Sequence, residues 1–388
     1  MGRLHQSPNR DHASTRRGGD ELFDVDVLVI GGGAAGTQAA VAAAALGASV
    51  LVVDRAWPEH AAPAWPESVG SPGDEPPQRR SVAQRRGRWL LGHTALELLL
   101  DDDGEVHGAR GVWGSDEHPW CAHAGAVLLT TGAPAQAPDA LLLAAEAGAA
   151  LALAMPRHLG ISTGLPALQV LDLAGNTAVN GLQVAGDAAS PHSGIDHGLP
   201  AATHALAMLL GQRAGVAAAD LARHRRPPSQ RLLVAGRVGL AGAGHHAIDP
   251  RATRAALQAL LASAAQCDDS ASLQAASARL DALWRFLSAT AAAPAGLQRV
   301  TREAVGAVAA ARWQLACWRA DAARAAVGGA GPLVCGGLTS VWARPAVRPL
   351  RPAAAPDHAA VLAGHSDGRG EHEPGGGAMH GRRWSFAR

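Results

Sequence analysis

Between residues 24 and 54 the hydrophobic pattern changes character three times. Val25, Val27, Leu28, Val29 and Ile30 form an almost unbroken apolar run, the mark of a parallel strand covered on both faces. An alanine-dominated stretch over 34–46 predicts a helix, with Gly47 as its stop. Ser49–Val53 predicts a second buried strand, and Asp54 ends it. Further along, positions 88–113 alternate apolar and polar around Asp101-Asp102-Asp103-Gly104, which predicts a hairpin. Ala126–Thr130 and Gly181–Ala185 are short buried-strand patterns. Asp139 and Gly148 bracket a helix over 140–147, and another helix covers 199–214. Asp249-Pro250 reads as an N-cap followed by proline at the first helical position. Only helical patterns follow, over 251–266, 271–289 and 301–327.

Polar and irregular stretches divide these elements. Residues 1–22 have no periodicity and read as a disordered leader. Residues 55–80 hold six prolines and read as a long irregular loop. The segment 224–249 is rich in Arg, Pro and Gly, a linker, and 344–388 has the composition of a disordered tail. The expected fold class is α/β: a Rossmann-like domain over 23–223, with a C-terminal helical domain over 250–330.

Composition narrows the chemistry. The 388 residues carry a net charge of +1, which gives no global basic field for nucleic acid. All 34 basic residues are arginine, and there is neither Lys nor Tyr. A Schiff-base lysine, a P-loop lysine and a Tyr–Lys catalytic pair are therefore excluded. Cys121, Cys267, Cys317 and Cys335 lie far apart with no C-x-x-C, so a four-thiolate iron–sulfur cluster is not expected in this chain. Such thiols fit a reducing cytoplasm. Arg16-Arg17 is followed by Asp20, Glu21, Asp24 and Asp26 rather than an apolar run, so no twin-arginine signal is read, and no membrane insertion is expected. His245-His246 lacks partners at ligand spacing, and no metal site is expected.

The strongest chemical signal follows the first strand. Gly31-Gly32-Gly33-Ala34-Ala35-Gly36 has the spacing G-x-G-x-x-G at 31, 33 and 36. Gly31 allows the tight turn, Gly33 lets a pyrophosphate approach the backbone, and Gly36 lets helix and strand pack closely. The helix N-terminus, opening at Ala34 and Ala35, offers free N–H groups to a diphosphate. Asp54 lies 18 residues beyond Gly36, where a ribose-binding acid belongs, and Arg55 follows it. Strand, glycines, helix, strand and acid in this order predict a nucleotide-binding βαβ unit. The unit alone leaves FAD and NAD both open.

Three further stretches carry a resemblance. Gly181-Leu182-Gln183-Val184-Ala185-Gly186-Asp187 resembles the G-L-Y-A-A-G-D/E element of two-dinucleotide-binding-domain flavoproteins. Val127-Leu128-Leu129-Thr130-Thr131-Gly132 resembles their strand-then-A-T-G element, and Gly211-Gln212-Arg213-Ala214-Gly215 resembles their G-R-x-A-G. The set is similar to the flavoprotein subunits of fumarate reductase, succinate dehydrogenase, aspartate oxidase and adenylylsulfate reductase. The resemblance implies an FAD-binding domain of that type, with Asp187 on the ribityl chain. It also implies that the helix N-terminus around Thr203 points at the flavin. It further implies an oxidoreductase that moves a hydride through flavin N5, a small-molecule substrate and an iron–sulfur partner for the electrons.

The match also breaks at definite places. Only about 50 residues separate Gly132 from Gly186, where the family inserts a capping domain, so the cap is expected to be missing. Asp196-His197-Gly198-Leu199 stands where relatives carry an arginine for the substrate carboxylate, and His cannot reproduce a bidentate guanidinium fork. His197 and His158 are the candidate proton donors, since imidazole titrates near working pH. Two alternatives follow: a degenerate flavin-binding protein that has lost the cap, and an NAD-binding enzyme with one Rossmann unit.

Overall fold

The apolar run over 25–30 lies in β2 (Asp20–Ile30), at the centre of a ten-stranded sheet. The computed structural model describes residues 15–17, 20–55, 82–132, 138–153, 166–189, 200–225, 228, 232–235, 246–247, 249–265, 270–292, 296–327 and 347–349. β1 (Thr15–Arg17) pairs antiparallel with the start of β2. β2 leads into α1 (Ala34–Ala45) and then β3 (Val50–Asp54), which lies parallel to β2 with Val27 beside Val50 and Ile30 beside Val53. Next come β4 (Gly87–Leu91), β5 (His93–Leu100), β6 (Val106–Trp113) and β7 (His118–Leu129). The sheet runs β5-β6-β7-β2-β3-β4 through its middle, and β7 also pairs with β10 (Leu182–Val184).

Two corrections to the sequence reading concern these strands. The predicted hairpin over 88–113 is two things: β5 and β6 form the antiparallel hairpin, while β4 runs parallel to β3 as a sheet edge. The strand expected at 126–130 is the end of the much longer β7. The first half of β7 pairs antiparallel with β6, and its last three residues pair parallel with β10. β2 runs beside both halves. Four parallel strands, β3, β2, β7 and β10, therefore end at one edge of the sheet.

Alternate side chains of these strands enter two cores. Leu28, Ile30, Leu51, Val53, Val127, Leu129, Leu182 and Val184 face one side. Val27, Val29, Val50, Val52, Ala126 and Leu128 face the other. Burial on both faces is what a continuous apolar run in a central parallel strand requires. The second face is covered by α1 and by α3 (Pro200–His224). These two helices touch closely. A methyl on Gly211 would come within 2.1 Å of the Ala35 carbonyl oxygen, and one on Gly215 within 2.2 Å of that of Ala39. The sequence stop expected at 214 is thus a helix contact, and α3 continues ten residues further. Part of α3, His204–His224, is long and apolar enough to cross a membrane by length and composition. Here its small residues pack on α1.

The first face is covered by α2 (Pro138–Glu146) and by the helical segment: α4 (Pro250–Ala265), α5 (Ser270–Thr290) and α6 (Gln298–Val327). The oxygen Oδ1 of Asp249 accepts from the backbone N–H groups of Arg251 and Ala252 at 2.9 and 3.2 Å, the N-cap that the sequence predicts. The start of α6 is capped from a distance. The Glu117 carboxylate, in the β6–β7 turn, accepts from the N–H groups of Gln298 and Arg299. Buried Arg302 of α6 donates to buried Glu146 of α2 through both terminal nitrogens. A short antiparallel pair, β8 (Leu151–Leu153) and β9 (Pro166–Leu168), follows α2. β11 (Leu233–Ala235), inside the expected linker, joins the outer edge of β5. A two-residue parallel pair, β12 (His246–Ala247) and β13 (Ala291–Ala292), lies apart from the main sheet. β14 (Val347–Pro349), inside the expected tail, pairs with β11.

Candidate cofactor-binding site

At the carboxyl ends of β2, β3, β7 and β10 the sequence signals converge. Gly31 leaves β2 with φ +107°, and its N–H donates to the Val53 carbonyl at 2.9 Å. That conformation suits only glycine. The Gly32 N–H donates to Asp54 Oδ2 at 2.8 Å, which ties the loop to the end of β3. A Cβ on Gly33 would meet nothing within 4 Å, so this position opens to a vacant approach. A Cβ on Gly36 would lie 1.9 Å from the Gly31 carbonyl oxygen, because α1 starts in contact with its own loop.

The N-terminus of α1 carries no side-chain cap and no acidic residue in its first turn. The amides at Ala34, Ala35 and Gly36 therefore stand at the positive end of the helix dipole, facing the opening beside Gly33. The other wall comes from β7. The hydroxyl of Thr130 is 2.7 Å from the Gly31 carbonyl oxygen and 3.2 Å from that of Ile30, while the Thr37 hydroxyl donates to the Gly32 carbonyl at 3.0 Å. Thr131 follows, its Oγ1 buried and without a hydrogen-bond partner, and Gly132 turns the chain with φ +87°. Buried hydroxyls are ordinarily satisfied, so a bare one at this edge marks a place for a polar ligand.

From β10 the chain enters a single 3-10 turn, Gly186–Ala188. Gly186 has φ +71°, and a methyl on it would come within 2.8 Å of Ala35 Cβ. The turn thus rests on the first residues of α1 and holds Asp187 exposed beside them. Asp54 meets the glycine loop at Gly32, and the turn that carries Asp187 meets its far end at Ala35. Arg55 pairs with Asp139 in the first turn of α2 at 3.5 Å. Nearby Glu303 of α6 has its carboxyl raised above the ordinary value, by burial first and then by the charge of Asp139. Thr203 lies in the first turn of α3. His158 and His197 lie outside the described residues. Thr37 and Trp89 also meet the loop and carry no signal in the sequence, whereas Thr130 stands in the strand-then-A-T-G stretch.

A glycine loop opening a helix at the carboxyl ends of parallel strands is the arrangement at which open α/β sheets bind dinucleotides. The family model for glucose inhibited division protein A matches residues 26–78, the unit just described. Solved structures of similar architecture cover most of the chain. Sdh1 of Mycobacterium smegmatis, in complex with UQ1, aligns with a TM-score of 0.55 at 14% identity, over 79% of this chain and 87% of that one. Adenylylsulfate reductase of Archaeoglobus fulgidus aligns at 0.57 and 12%, over 81% and 92%. The quinol fumarate reductase subunit FrdA of E. coli aligns at 0.51 and 12%, over 75% and 88%. No curated protein matches the sequence. The fold is therefore the one the resemblance implies, the Rossmann-like fold of this flavoprotein group, with the C-terminal helices packed on one face. The residues present fit FAD: uncapped amides and an open Gly33 for the diphosphate, the carboxylates of Asp54 and Asp187 for sugar hydroxyls, and the bare Thr131 Oγ1 at the end of β7 for a further polar contact.

Proposed function

We propose that the chain is an FAD-dependent oxidoreductase. Bound flavin would supply hydride transfer at N5, since the redox chemistry belongs to the cofactor. The chain's own residues bind and orient. The amides opening α1 hold the diphosphate, Asp54 accepts from the adenosine ribose, and Asp187 accepts from the ribityl hydroxyls. The N-terminus of α3, with Thr203 in its first turn, stabilises negative charge on the reduced ring. His197 and His158 are the candidate proton donors. The observation that carries this reading is the meeting of Asp54 and the Gly186–Asp187 turn at one glycine loop.

The substrate is a small molecule, electrons leave to an iron–sulfur partner, and the protein acts in the cytoplasm. Reconstitution with FAD tests the reading: purified protein should gain the visible flavin absorbance band and release FAD on denaturation. Protein that takes up NAD and no flavin refutes it. A second reading, flavin binding without turnover, draws on the short span between Gly132 and Gly186. Its described residues make only α2, β8–β9 and β10. Flavin that photoreduces yet oxidises or reduces no dicarboxylate, amino acid or quinone analogue would favour it.

A further inference from the structure

The glycine motif names positions 31, 33 and 36, yet Gly32 is hemmed in as Gly31 and Gly36 are. A methyl on Gly32 would lie 2.6 Å from Asp54 Oδ2 and 2.8 Å from Cζ3 of Trp89. The Trp89 indole therefore lies against the same spot where the Gly32 N–H meets the Asp54 carboxylate. Trp89 comes from β4, where it stands beside Val52, two residues before the end of β3. Among the described residues β4 is the last strand on this side of the sheet, so Trp89 stands towards its outer edge, next to the end of β3. It packs on the α1–α3 side of the sheet and remains half-buried.

Its chemistry selects what it can face. An indole offers a flat apolar surface, which suits a nucleoside and not a diphosphate. The neighbouring carboxylate suits ribose hydroxyls. Ring and acid side by side at the end of β3 make a nucleoside subsite, with the phosphates directed inward to Gly33. We infer that Trp89 is the wall of the adenosine subsite and a determinant of adenine-dinucleotide affinity. The inference rests on the dinucleotide reading above.

Calorimetric titration of the full chain with FAD and with ADP tests it, using wild type, Trp89→Ala and Trp89→Phe. Loss of base or sugar packing on one aromatic ring corresponds to roughly tenfold weaker binding or more. Trp89→Ala should weaken FAD and ADP by the same factor, because the loss is confined to the half they share, and Trp89→Phe should restore most of it. Wild-type affinity for both ligands in Trp89→Ala overturns the inference and leaves the dinucleotide reading standing. So does weakened FAD with unchanged ADP. Wild type that binds neither ligand overturns the dinucleotide reading itself. Should Trp89→Ala fail to fold by circular dichroism, Trp89→Phe carries the test: ADP should change the tryptophan emission of wild type and leave that of Trp89→Phe unchanged. Equal changes in both proteins refute the assignment.

Discussion

Gly33→Ala separates binding from folding more cleanly than any other change at the loop. Gly33 has φ −66° and ψ −167°, a conformation open to alanine, and a methyl there meets nothing within 4 Å. Glycine is the better N-cap, so the folded state should lose no more than about 1 kcal/mol. The methyl nevertheless stands where a diphosphate must approach the amides of α1. Charge-assisted hydrogen bonds of that kind contribute about 1.5–3 kcal/mol, so one lost contact weakens binding by roughly 10- to 150-fold. Apo protein should melt within about 4 °C of wild type by circular dichroism, while the FAD dissociation constant rises by that factor in a flavin-fluorescence titration. Gly36→Ala is the contrasting control, since its methyl would meet the Gly31 carbonyl oxygen at 1.9 Å and should prevent folding. A Gly33→Ala protein that binds FAD as tightly as wild type would show that the phosphates do not lie at this loop.

Other changes probe the frame around the loop. Gly211→Ala forces a methyl to 2.1 Å from the Ala35 carbonyl oxygen, and overpacking of this kind costs about 1–3 kcal/mol; an unchanged urea midpoint would refute the close helix contact. Arg302→Met strands Glu146 in the interior and should cost about 3–5 kcal/mol, whereas the double variant with Glu146→Leu should regain much of it. A double variant no more stable than the single one would count against pairing as the cause. His107 has its pKa pushed below the usual 6.5, by burial first and then by the Arg225 charge, against the pull of Asp101. A depressed histidine pKa means that unfolding takes up a proton in acid, so its stabilising share is present above about pH 6.5 and is lost as the pH falls towards the folded value. Urea unfolding at several pH values should give a shallower acid decline for His107→Gln than for wild type, and an identical slope would refute the assignment.

The central unit was legible because its chemistry is local. A strand buried on both faces, a loop that needs a positive φ at Gly31, and an acid at the end of the next strand all fall within 31 residues. Elsewhere the same signals misled. Gly211 and Gly215 read as a helix stop when taken locally, but their lack of side chains serves Ala35 and Ala39 of a distant helix. The first half of β7 alternates exposed and buried positions, with His118, Cys121 and His123 among the less buried, so only its apolar end announced a strand. β11 and β14 are three-residue strands in Arg- and Pro-rich sequence, too short to carry a period. Thr130 and Trp89 meet the loop across separations of 99 and 57 positions, which no window along the chain can register.

The change of partner along β7 has a mechanical consequence. Its first half is aligned by the antiparallel hairpin, and its last residues set where Thr130 meets Gly31. A one-residue slip in the hairpin would turn every β7 side chain to the opposite face and carry Thr130 away from the glycine loop. The β6–β7 pairing thus works as a gauge block for the place where Thr130 meets the glycine loop. Mutations that loosen it should blur cofactor occupancy without touching a single residue of the crevice.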